Sequence, residues 1–188
     1  MSRAVPDTPD APAETNSSLR HVLVVGGTLA EWAELSEADW AQRLSELGAL
    51  CQRVGVPWLT IRAYEAGDVA PATPPQQRRY RVEHCEVIAD PHADGRQRFA
   101  DAMDRIDPLD EVNEASVAAA LYEPADSEPD LVLVLGPATQ LPPSLVWELA
   151  YAELVFIDVE WAALSADHVA AAITDFANRR RRFGGLDG

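Results

Sequence analysis

The chain has 188 residues, 47% of them hydrophobic, enough for one packed core and so for one domain. A formal net charge of −16 argues against nucleic acid and anionic membrane surfaces as general partners. No run reaches the roughly 18 apolar residues of a membrane span, and no charged-then-apolar leader opens the chain, so a cytoplasmic protein without a transmembrane segment is expected.

Residues 1–20 carry Pro6, Pro9 and Pro12 among small and polar residues and read as a disordered arm. His21-Val22-Leu23-Val24-Val25 is a short apolar run ending at Gly26-Gly27, the pattern of a buried parallel strand. Ser36 with Asp39 forms a capping-box pattern, and Trp40, Leu44, Leu47, Cys51 and Val54 follow at spacings of four and three as one apolar stripe. Gly55 supplies the stop, and Pro57–Ala63 reads as a second strand. Strand, helix, strand implies a right-handed crossover and parallel pairing.

The 66–77 stretch is a Pro-rich connection. A strand is expected around Val82–Ala89, then a helix near Arg96–Ile106 with Phe99, Met103 and Ile106 on one side, then a helix from Asn113 through Tyr122. Leu131–Leu135 is the most apolar strand, Pro142 and Pro143 suit the first turn of a helix carrying Trp147, and Leu154–Ile157 is a short strand. Ser165 suits the cap of a last helix with Val169, Ile173 and Phe176 inward. The alternation predicts an α/β domain over residues 21–186, with a central, mainly parallel sheet flanked by helices.

The residues taken singly say little about chemistry. Cys51 and Cys85 lie in apolar segments without metal-like spacing and read as buried thiols. His84, His92 and His168 have no mutual spacing of a metal site, and Gly26-Gly27 lacks the rest of a dinucleotide fingerprint. Arg179-Arg180-Arg181-Arg182 suits either a solvated last helical turn or a phosphate contact.

Taken together they carry a resemblance. The block Trp147-Glu148-Leu149-Ala150-Tyr151-Ala152-Glu153-Leu154, then Phe156, Asp158, Trp161, Phe176-Ala177-Asn178-Arg179 and Arg182-Phe183-Gly184, resembles the C-terminal signature of the cis-prenyltransferases, the undecaprenyl diphosphate synthase family. His21-Val22 with Trp32, Gly55-Val56 with Leu59-Thr60 and Ala63-Tyr64, and Ser116–Tyr122 with Pro129-Asp130-Leu131 extend it over residues 21–65 and 82–186. The resemblance implies a shortened cis-prenyltransferase fold and condensation of isopentenyl diphosphate with an allylic diphosphate.

The positions that would do that chemistry depart from the family pattern. Aligned through His21 and Trp32, the magnesium-holding Asp of the family falls on Gly27, the phosphate-loop Gly-Asn-Gly on Thr28-Leu29-Ala30, and the loop Arg on Glu31. The family's His at the next helix start falls on Glu37, and its Ser-x-Glu-Asn motif becomes Glu65-Ala66-Gly67-Asp68. Its isopentenyl diphosphate loop becomes Val134–Pro142, without either arginine, and the helices that wall the product tunnel are replaced by the 66–77 stretch. A diphosphate needs cations, amides or metal around it, and swapping Arg for Glu beside one costs several kcal/mol.

What persists is the Arg-x-Gly motif at Arg182 and Gly184, which in the resembled dimers reaches the partner's diphosphate. The expectation is therefore a pseudoenzyme of the Nogo-B receptor type, with no catalytic residue and no cofactor of its own. It would form a heterodimer with a catalytic cis-prenyltransferase subunit, or a homodimer in its absence, and donate Arg182 and Gly184 to isoprenoid diphosphates at the partner's Mg²⁺-containing site. Glu153, which the family links to metal and substrate geometry, would act across the interface or satisfy local hydrogen bonds. Two alternatives remain: a divergent stand-alone short-chain prenyltransferase, and a scaffolding homodimer unrelated to isoprenoids.

Overall fold

Five consecutive buried residues, His21–Val25, form the strand around which the rest is built, β1. The computed structural model describes residues 19–65, 75–107 and 110–183. Leu19 and Arg20, placed by the sequence in the N-terminal arm, already pack: Leu19 is buried, and the Arg20 amide donates to Asp130 Oδ2 at 2.7 Å. Residues 1–18 of that arm and 66–74 of the Pro-rich connection lie outside the described residues.

After β1 come a short helix α1 (Leu29–Glu34), a long helix α2 (Glu37–Val54) and strand β2 (Trp58–Arg62). Ser36 and Asp39 form the expected capping box, and Gly55 ends α2 in the left-handed region at φ 76°. The next element is a hairpin of β3 (Arg78–Val82) and β4 (Cys85–Asp90) where the sequence suggested one strand over Val82–Ala89. Its two-residue turn places Glu83 at φ 50°. The arginines of β3 (Arg78, Arg79, Arg81) suit an edge strand, where charge discourages further pairing.

Helices α3 (Gly95–Arg105) and α4 (Glu114–Tyr122) follow, then β5 (Leu131–Leu135), β6 (Glu153–Ile157) and α5 (Ala166–Phe183). The expected helix through Trp147 does not form; residues 141–147 are turns and irregular chain, followed by one 3₁₀ turn, Glu148–Ala150. The buried side of α3 is Arg98 and Ala102, whereas Phe99 is exposed and Met103 and Ile106 are half-buried.

The sheet order is β3-β4-β2-β1-β5-β6, parallel except for β3 against β4. Strand alternation sorts the two faces. Val22, Val24, Leu59, Ile61, Leu131 and Leu133 join Trp40, Leu44 and Leu47 of α2 and Val169, Ile173 and Phe176 of α5 in the main core. Leu23, Val25, Val132 and Val134 point the other way and pack with Leu145. Because the chain runs left from β1 to β2 and β4, then returns to its right at β5, the order reverses between β1 and β5. In open α/β sheets such a reversal leaves a crevice at the carboxyl ends of the strands.

Candidate functional site

That crevice exists, as a cleft of about 300 Å³ between the residues following β1, β2, β5 and β6. Its first wall is Gly27, which Gly26 joins to β1. Gly26 N–H donates to the Arg62 carbonyl at 3.0 Å, and the Gly27 carbonyl accepts from Tyr64 N–H at 2.7 Å. Gly27 has φ 71°, and a Cβ added there would stand 2.7 Å from Trp161 Cγ. The position aligned with the family's magnesium-holding Asp therefore has an indole against it.

Thr28 and Glu31 then close on each other. Thr28 caps α1: its Oγ1 accepts from Glu31 N–H at 3.1 Å, while Glu31 Oε2 accepts from Thr28 N–H at 2.7 Å and from Thr28 Oγ1–H at 3.0 Å. Amides opening a helix are the donors with which a protein holds an anion. Here the chain's own carboxylate takes up the Thr28 amide. This short helix and its capping box were not read from the sequence, although Thr28-x-x-Glu31 is the pattern that announces one.

Trp161 holds the floor of the cleft. Its ring stacks on Trp32 at a centroid distance of 5.5 Å, and the Arg43 guanidinium lies 4.2 Å from its ring centroid. Arg43 Nη1 donates to the Trp161 carbonyl at 3.0 Å, and Trp32 Nε1 donates to the Gly26 carbonyl at 3.1 Å. Trp32 also meets Trp40 edge-on at 5.0 Å, so three indoles fill the space behind Gly27.

The charges lining the cleft among the described residues are negative: Glu31, Glu65, Asp158 and Glu160 line it, with no arginine or histidine beside them. Among the described residues no three His, Cys, Asp or Glu side chains converge as metal ligands. These residues do not fit a magnesium-bound diphosphate. The segment Val134–Pro142 supplies Gly136 and Pro137 to the cleft, and the Gln140 carbonyl accepts from Tyr64 Oη–H at 3.2 Å, so it is anchored by the chain itself.

Of the sequence-derived site residues, Gly27 and Glu31 are brought together here and Glu153 is not. Glu153 opens β6 opposite Leu131, at the far end of that strand from Ile157, which Asp158 follows, roughly 13 Å away at strand rise. It pairs with Arg179 of α5 at 2.8 Å, which is a local role for both. Arg182 lies in the last turn of α5, with its side chain outside the described residues, and Gly184 lies outside them altogether.

A second cluster went unread in the sequence. Arg62, at the end of β2, is 1% exposed and donates through Nη1 to Glu148 Oε1 at 2.7 Å and through Nε to Asp90 Oδ2 at 3.4 Å. Arg98 of α3 stands 3.5 Å from the same Asp90 and 3.4 Å from the same Glu148. Burial alone would raise the carboxyls of Asp90 and Glu148. At Asp90 the His92 hydrogen bond, then Arg62 and Arg98, override it, and at Glu148 the two arginines do, so both are held below the ordinary carboxylate range.

His21 lies beside this cluster. Burial lowers its pKa to about 4, against a hydrogen bond to Ser127 that favours the cation. Neutral His21 donates Nδ1–H to the Ser127 carbonyl (2.7 Å), which leaves Nε2 to accept from Thr60 Oγ1–H (2.9 Å). The sequence held a signal for the cluster: in β2 Leu59 and Ile61 alternate with Thr60 and Arg62, which puts a charged residue on a face the helices cover.

Comparison with known proteins places these features in context. The family model described as putative undecaprenyl diphosphate synthase matches residues 84–184. The isoprenyl transferase of Rickettsia felis is 35% identical over 91 residues, 47% of this chain and 39% of that protein. The ditrans,polycis-undecaprenyl-diphosphate synthase ((2E,6E)-farnesyl-diphosphate specific) of Lactiplantibacillus plantarum is 38% identical over 79 residues, 40% of this chain and 30% of that protein. The chain thus spans two-fifths or less of these curated relatives.

Among solved structures, a probable undecaprenyl diphosphate synthase from Campylobacter jejuni aligns with a TM-score of 0.57 at 19% identity, over 88% of this chain and 98% of that one. Lavandulyl diphosphate synthase from Lavandula x intermedia, in complex with dimethylallyl diphosphate, aligns with a TM-score of 0.59 at 13% identity, over 85% and 95%. At these identities the likeness establishes the fold.

Proposed function

The chain belongs to the undecaprenyl diphosphate synthase family of prenyltransferases, and from that membership we propose that it is a non-catalytic subunit of a two-subunit cis-prenyltransferase. The observation that carries the reading is the Glu31 carboxylate seated on the Thr28 amide, beside a Gly27 that abuts Trp161. Where a diphosphate and its metal would sit, this chain places its own anion and an indole. The remaining lining adds Glu65, Asp158 and Glu160, which repel a substrate of two to three negative charges.

A subunit without its own chemistry acts through a surface. Val146, Leu149, Tyr151 and Phe156 are exposed large apolar residues within eleven positions of one another, on and before β6. β6 is the outer strand of the sheet on that side. Exposed apolar groups gathered on one segment suit burial against another subunit. α5 runs from the core to Phe183 and carries Arg182 in its last turn, so the chain's most basic segment is the end of an element fixed in the core. A guanidinium delivered from there suits a diphosphate held by a catalytic subunit, with Mg²⁺ belonging to that subunit.

The test is co-expression with a full-length cis-prenyltransferase from the same organism. The two chains should co-purify, the complex should turn over faster than the partner alone, and Arg182→Ala should lower turnover without dissociating the complex. Co-purification with turnover insensitive to Arg182→Ala would remove the donated arginine from the account.

A further inference from the structure

A second cavity, also of about 300 Å³, lies on the other side of the sheet from α2, under α3 and the end of α4. It is separate from the cleft beside Gly27: its floor is the face of β2 and β4 that bears Thr60, Arg62, Ile88 and Asp90. The chain contains no lysine, so its 15 cationic side chains are all arginines. Four of them, Arg62, Arg79, Arg98 and Arg105, line this one cavity, together with His92. Asp90, Asp101 and Glu123 are the carboxylates among the lining residues. In a chain of net charge −16 four arginines around one cavity call for a cause, although Asp90 and Glu148 balance two of them.

The arginines divide into two kinds. Arg62 and Arg98 are buried and held in place by Asp90 and Glu148, so their guanidinium groups are fixed before any ligand arrives. Arg62 nevertheless has no acceptor on Nη2 among the described residues. Arg79 and Arg105 stand at the rim, and neither has a carboxylate within ion-pair distance among the described residues. The Arg105 side chain donates only to the Ala120 carbonyl, at 2.7 Å, and the Arg79 side chain makes no hydrogen bond among those residues.

The unused groups are thus donors and cations, two of them exposed side chains at the mouth and one held by carboxylates at the base. Guanidinium groups match the oxygens of a tetrahedral anion in pairs. The volume exceeds that of a bare phosphate and sits at the lower bound of small-molecule pockets. Ile88 and Leu121 add an apolar wall for a short carbon skeleton.

We propose that the cavity between β2–β4 and α3–α4 binds a phosphate group, either free phosphate or a small phosphomonoester, through Arg62, Arg79 and Arg105. The proposal does not rest on the partner-subunit reading, since the cavity belongs to one chain and lies on the opposite side of the sheet from α2.

The test is calorimetric titration of the full chain with inorganic phosphate and, separately, glycerol 3-phosphate, at constant ionic strength so that screening does not vary. Saturable one-to-one binding is expected, weakened about tenfold or more by Arg79→Ala with Arg105→Ala. Arg53→Ala, an exposed arginine of α2, should leave it unchanged. Tighter binding of glycerol 3-phosphate identifies a phosphomonoester as the ligand class, and equal affinity identifies the free ion. No saturable binding of either probe, or binding indifferent to the rim double variant, overturns the proposal. Both rim residues are solvent-exposed, so loss of the fold is not expected to mask the result, and circular dichroism of the variants checks this.

Discussion

Trp161 lies so close to Gly27 that a Cβ at residue 27 would meet the indole Cγ at 2.7 Å. The contact couples the loop after β1 to the 3₁₀ turn Trp161–Ala163 after β6, across the reversal point of the sheet. It also means that a carboxylate at residue 27 cannot be seated without displacing the indole. Gly27→Asp places a side chain into the ring and forces a non-glycine residue to φ 71°. The variant should lose about 2 kcal/mol or more of stability in urea titration, and should not gain Mg²⁺-dependent diphosphate affinity by calorimetry.

The Arg62–Glu148 pair makes a second prediction. Both groups are almost fully buried, so removing one strands the other's charge in a medium that solvates it poorly. Glu148→Gln should cost about 3 kcal/mol or more, because Arg62 keeps only the longer Asp90 contact. Replacing both, with Arg62→Met and Glu148→Leu, should cost less than the sum of the two single changes. A double-mutant cycle from urea midpoints measures the coupling, and strict additivity would contradict a paired network.

The pH dependence of stability should carry the mark of His21. Unfolded, its imidazole takes a proton near pH 6.5; folded, burial defers this to about 4. The unfolded chain therefore binds the extra proton first as the pH falls. The stabilisation is complete above about pH 6.5 and is lost progressively down to about 4, amounting to about 3 kcal/mol. His92, raised by its hydrogen bond to Asp90, works in the opposite sense, so the wild-type slope is a sum of the two. Comparing wild type with His21→Gln between pH 7.5 and 4.5 isolates the His21 part, and equal slopes would contradict a buried neutral imidazole. Below that window Asp90 and Glu148, both held low, lose their contribution as the pH falls past the unfolded carboxylate value of about 4.

Local patterns carried the fold wherever local physics decided it. The His21–Val25 run, the Ser36–Asp39 box, the Gly55 stop and the α5 stripe of Val169, Ile173 and Phe176 stand in the structure as their spacing suggests. The failures have tertiary causes. Arg78-Arg79-Tyr80-Arg81-Val82 sets only Tyr80 and Val82 between arginines, as an edge strand allows, a signal too short to read, so the hairpin looked like one strand. Pro142 and Pro143 permit a helix, but Glu148 is drawn inward to Arg62, 86 residues away in sequence, and the segment turns instead.

The candidate site was legible as a set of departures at Gly27 and Glu31. The Thr28–Glu31 box is local and was overlooked, whereas the Trp161 floor depends on side chains meeting across the chain, which spacing alone does not reveal. The arginine-lined cavity was invisible for the same reason, since its residues come from β2, β3, β4, α3 and α4.

The central claim is that this chain does no prenyl transfer by itself. It is tested most directly by incubating the purified protein, without a partner, with Mg²⁺, isopentenyl diphosphate and dimethylallyl, geranyl or farnesyl diphosphate. The account predicts no condensation product above the protein-free control. A longer prenyl diphosphate formed by the isolated chain would contradict it.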